Sequence, residues 1–86
     1  MTYKDRMFEK LTQAFAPTHL EIIDESEAHR GHGGYQEGGE THFKIIIKAA
    51  AFTGMSRVAR QRAVMAVVKA EMEARVHALA LEVSGA

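Results

Sequence analysis

Cysteine is absent from this chain, and with it go disulfide stapling and any metal site built wholly from the chain's own thiolates. Neither sign of charge is in excess, since eleven Lys and Arg balance eleven Asp and Glu. No chain-wide positive field therefore exists to hold a phosphate backbone, although a local patch remains open. No apolar run approaches the roughly 18 residues of a membrane span. The N-terminus also lacks the apolar stretch of a secretory signal, so a cytoplasmic protein without membrane contact is expected. Catalytic signatures are missing as well: there is no HExxH, no GxxxxGK and no dinucleotide glycine fingerprint. Ser26 and Ser56 have no legible base or orienting group near them in sequence. A non-enzymatic binding protein is the expectation.

What is present suits one small domain spanning residues 1–86. A hydrophobic fraction of 47% over 86 residues is enough for a single core. Without disulfides, a chain this short must rely on well-packed secondary structure. Charge is unevenly spread. Residues 1–29 carry three basic and six acidic side chains, a net of −3, whereas residues 30–86 carry eight and five, a net of +3.

Residues 3–15 read as an amphipathic helix, with Phe8, Leu11 and Phe15 at i, i+3 and i+7 and Met7 and Ala14 beside them. Thr2 is its N-cap, Asp5 three positions on imitates the capping-box acid, and Pro17 closes the region. HLEIIDE (19–25) is a short strand, with Leu20 and Ile22 on one face and Ile23 on the other. THFKIIIKA (41–49) is the strongest strand, its inward row being Phe43, Ile45 and Ile47. Gly54 marks the next turn, and Ser56 starts a short helical turn before a long helix over 58–74. That helix carries its buried stripe on Val64, Val67, Val68 and Met72. VHALALEVS (76–84) is the third strand, beginning at Val76 and His77.

The order is α-β-β-α-α-β. The first two strands form a hairpin, and the helical crossover makes the second and third parallel. The expected fold is α+β: a three-stranded mixed sheet with helices on one side and a partly open second face at Ile23 and Ile46.

Between the first two strands lies a segment, from about 26 to 40, without apolar period. It holds five of the chain's seven glycines, together with His29, His32 and Tyr35. From pattern alone His77 reads either as a satisfied structural histidine or as a ligand. His29 and His32 read either as solvated loop polarity or as imidazoles able to swing toward His77. Tyr35 reads as a partner contact or as a lid over apolar surface. His42 reads as structural, and His19 carries no chemistry. Two imidazoles cannot complete a tetrahedral site, but they can supply half of one whose thiolates come from elsewhere. Both zinc and iron–sulfur centres accept that donor set.

The chain resembles the BolA-like family along nearly its whole length. The resemblance is carried by LEIIDES (20–26), GETHFKI (39–45), FTGMSRVARQR (52–62) and VHALAL (76–81), in that order and spacing. It implies an α+β fold of class II KH-like type, in agreement with the order above. It also implies a partnership with a monothiol glutaredoxin and a shared, bridged [2Fe–2S] cluster, in iron–sulfur trafficking or iron regulation. The alternative implication is a DNA-binding transcriptional regulator. Under the first, His77 matches one family ligand, and His29 matches the loop ligand, with His32 as its substitute. Many members have histidine where this chain has Gln61, which is not an expected ligand position. No cluster is expected in the isolated chain, and a weak homodimer remains open.

The run RVARQR (57–62) places Arg57 and Arg60 on one helical face and Arg62 away from them. It reads either as a solvated face or as a phosphate-gripping patch. GMSR (54–57) lacks the second glycine of the GxxG clamp, which argues against RNA and leaves DNA as the nucleic-acid reading.

Overall fold

A computed structural model describes residues 2–25 and 41–85. Helix α1 spans Tyr3–Phe15 and begins as its capping residues predict, with the Asp5 N–H donating to Thr2 Oγ1 at 3.0 Å. It ends at Ala16, whose N–H still donates to Thr12 O and whose left-handed φ of 46° turns the chain out of the helix just before Pro17. Its buried stripe is rotated from the predicted one. Met7 and Leu11 are fully buried, Tyr3 and Phe15 pack partly against the core, and Phe8 is 45% exposed. The helix meets the core along its i, i+4 row, Tyr3–Met7–Leu11–Phe15, which turns Phe8 outward.

Strand β1, His19–Asp24, pairs antiparallel with β2, His42–Lys48, and Ile22 stands opposite Ile45. Strand β3, Ala78–Ser84, pairs parallel with β2, and Leu81 stands beside Ile45. The sheet order is β1-β2-β3, as the hairpin and the helical crossover require. Phe43, Ile45 and Ile47 alternate inward on the central strand and are all buried. The opposite face carries Ile23, 42% exposed, and half-buried Ile46.

The crossover departs from the predicted boundaries. The short leading helical turn is a 3₁₀ turn at Ala50–Phe52, and Ser56 instead caps the main helix by accepting from the Ala59 N–H at 3.1 Å. That helix is two: α2, Arg57–Val67, and α3, Lys69–Ala74. The break falls at Val68 (φ −103°, ψ 17°), where two consecutive β-branched residues disfavour helix and burying Val68 outweighs continuity. Val64 and Val68 are buried and Val67 and Met72 partly so, as the periodicity predicts. The Phe15 and Phe52 rings, 4.7 Å apart, join the end of α1 to the 3₁₀ turn.

Gly54 adopts φ +84° between the 3₁₀ turn and α2. Nothing lies within 4 Å of a Cβ added there, so the backbone angle alone demands glycine. Gly54→Ala is expected to destabilise the fold by about 1 kcal/mol, read as a lowered urea midpoint, with Gly54→Asn closer to wild type.

Candidate metal-ligand site at one end of the sheet

The residues before β3 are committed elsewhere, which is why the strand starts at Ala78 rather than Val76. The N–H groups of Arg75 and Val76 both donate to Glu71 O at 3.0 Å and close α3. The next two, on His77 and Ala78, donate to Thr41 O at 2.7 and 3.2 Å. His77 is thus fixed by its backbone to the residue preceding β2, while its side chain is exposed.

Thr41 is itself fully buried, and its Oγ1 lies 2.9 Å from His42 Nδ1. Next to it, the Glu25 N–H donates to His42 O at 2.7 Å, tying the end of β1 to the start of β2. Both roots of the 26–40 segment and His77 therefore share one end of the sheet. His29, His32 and Tyr35 lie outside the described residues. Thr41 has no apolar period to reveal it; its one sequence signal was its place at the head of the strongest predicted strand, THFKIIIKA (41–49), which in the structure begins one residue later at His42.

Among the described residues no group of three or more His, Asp or Glu is arranged to hold a metal ion. A metal at His77 would take its other ligands from the 26–40 segment or from a partner. His19 sits at the far end of β1 with its Nε2 3.2 Å from Glu21 Oε2.

The three arginines separate. Arg57 is exposed; Arg60 is half-buried and donates from Nε to Phe52 O at 3.0 Å and from Nη1 to Val83 O at 3.4 Å. Both line one pocket beside β3, whereas Arg62 lines a different groove with Met65 and Met72. Arg60 is thus partly a structural clasp between the 3₁₀ turn and β3. Arg60→Ala is expected to destabilise by about 2 kcal/mol, the worth of two charge-assisted bonds in a half-exposed setting. Arg57→Ala should stay within about 0.5 kcal/mol of wild type. Urea unfolding of the two variants reads the difference.

A residue the sequence reading passed over lies on the helical side. Glu71 of α3 is completely buried, yet it carries a carboxylate. Lys10 Nζ contacts its Oε2 at 2.8 Å and its Oε1 at 3.1 Å, and Arg6 Nη2 reaches Oε2 at 3.0 Å. The signal was available: Glu71 falls three residues after Val68 and seven after Val64, on the buried stripe. Its partners stand four apart on α1.

Fold and sheet end together define an α+β domain in which a three-stranded mixed sheet presents an exposed histidine beside the roots of a long inter-strand segment. Known proteins share this fold. The family model described as BolA-like protein matches residues 11–85, and the chain belongs to that family. A Sinorhizobium protein described as "Uncharacterized protein in cobS 5'region" is 46% identical over 83 residues, covering 95% of this chain and 89% of its own length. The DNA-binding transcriptional regulator BolA of Escherichia coli is 38% identical over 81 residues, covering 94% of this chain and 73% of that protein. Among solved structures, BolA1 from Arabidopsis thaliana superposes with a TM-score of 0.86 at 30% identity, covering 99% of this chain and 93% of the other.

Proposed function

We propose that this BolA-like chain is a non-enzymatic iron–sulfur partner protein that binds a monothiol glutaredoxin and shares a bridged [2Fe–2S] cluster with it. The supporting observation is the placement of His77, exposed and backbone-anchored through Thr41 O, at the sheet end from which the segment bearing His29 and His32 departs. The donor set fits half of such a centre: imidazoles from this chain, and thiolates from a partner because this chain has no cysteine. Mixed ligation of this kind raises the reduction potential above that of an all-thiolate cluster. Tyr35 is a contact to the partner.

Co-expression with a monothiol glutaredoxin, followed by iron and sulfide analysis of the purified complex, tests the reading. A complex without iron and sulfide, or no complex, contradicts it. Within the complex, His29→Ala is expected to perturb the visible spectrum more than His32→Ala. A wild-type spectrum for His29→Ala together with a changed one for His32→Ala moves the loop ligand to His32.

The name of the Escherichia coli relative favours a second reading, direct DNA binding, through Arg57, Arg60 and Arg62. Such contacts would be to phosphates, so binding would fall with rising salt for many sequences alike. The balanced net charge makes that affinity modest for a single copy.

A further inference from the structure

The end of edge strand β3 away from His77 borders a pocket of its own. Beside its last four residues a pocket of about 460 Å³ opens between β3 and the start of α2, well away from His77. A seven-residue strand at about 3.3 Å per residue separates the two ends by roughly 20 Å. That volume falls within the range of small-molecule pockets.

The lining is chemically lopsided. Arg57, Arg60 and Gln61 face it from α2, and Ile46, Leu81 and Val83 supply apolar surface from the sheet. Glu82 is its one carboxylate among the described residues, and that group is already engaged by Lys44 Nζ at 3.3 Å. Neither Arg57 nor Arg60 has a carboxylate partner among the described residues. Arg60 is held in place by two backbone carbonyls, Phe52 O and Val83 O. Those are neutral acceptors. They orient the guanidinium and use two of its five N–H groups without cancelling its charge, leaving three donors for another acceptor. A fixed, half-buried guanidinium without a counter-charge, beside a second mobile one, is suited to grip an oxyanion. Leu81 and Val83, on the helix-side face of β3, then take an apolar body, while Ile46 borders the pocket from the other face of the sheet.

The geometry points to a binding site here for a small organic molecule with an oxyanion head, a phosphate monoester or a carboxylate, on a compact apolar body. The site is independent of the cluster reading, because it lies at the other end of β3 and uses none of the histidines.

Phenyl phosphate and benzoate, titrated separately into the full apo chain and followed by amide NMR, test it and assign the head group. Either probe should produce saturable shifts at Arg57, Gln61, Val83 and Ser84, and at the Arg60 Nε–H, with the His77 amide unmoved. The probe that binds more tightly names the head. Arg57→Gln should weaken binding roughly tenfold. Arg57 is exposed and holds no part of the fold, so this variant keeps its structure. Gln61→Glu, which brings a like charge to the anion, should abolish the shifts. Absence of saturable shifts with both probes overturns the proposal, as does unchanged affinity in Arg57→Gln. It is equally overturned if only duplex DNA moves these amides and does so together with Arg62 and Lys69, because the arginines then serve a nucleic-acid surface.

Discussion

Replacing Arg6 and Lys10 together by methionine is expected to destabilise the apo protein by about 3 kcal/mol, far more than two surface charges normally contribute. The reason is the asymmetry of the triad they form with Glu71. The carboxylate is completely buried, while the Arg6 and Lys10 side chains are 39% and 41% exposed. Removing both cations strands an uncompensated charge in the interior. Removing the carboxylate instead leaves two cations that can turn to water, so Glu71→Leu alone should cost less than the double change. Adding Glu71→Leu to the double variant should recover much of the loss, since an apolar side chain of similar size suits the site once no cation needs it. Urea unfolding of the three proteins decides the matter. Equal stability of the double and triple variants would show that the buried carboxylate is not held by these two cations.

That triad also marks where sequence reasoning reaches its limit. The central strand was legible because alternation of Phe43, Ile45 and Ile47 has one meaning at strand period, and its neighbours' order followed from loop and crossover lengths. The phase of α1 was not. Phe8 and Met7 are both apolar and adjacent, and the choice between them depends on how the helix lies against the core. Likewise, the valines at 67 and 68 gave the correct buried stripe but not the helix break, because tertiary packing decides whether the weak local preference prevails. Glu71 was read past because carboxylates are so seldom fully buried, although its position on the stripe identified it.

The candidate site divides in the same way. VHALAL located His77, and the hydrogen bonds to Thr41 O explain how the chain presents it, in a connector rather than within the strand ladder. Arg57, Arg60 and Arg62 looked like one basic run. Carbonyl contacts that no sequence pattern displays separate Arg60 from the others as a structural clasp.

The largest functional effect is expected at His77. Its backbone N–H, rather than its ring, makes the bond that fixes the start of β3, so alanine preserves the bond to Thr41 O. His77→Ala should therefore leave the apo fold and its urea midpoint near wild type, the change being an exposed side chain. Loss of an imidazole donor should nonetheless lower cluster occupancy or stability in the complex. The most direct measurement is iron and sulfide content, visible spectrum and cluster lifetime of the His77→Ala complex with a monothiol glutaredoxin, beside wild type. The proposed function predicts a changed spectrum and a shorter-lived or missing cluster on an intact fold. An unchanged spectrum, metal content and lifetime would contradict it.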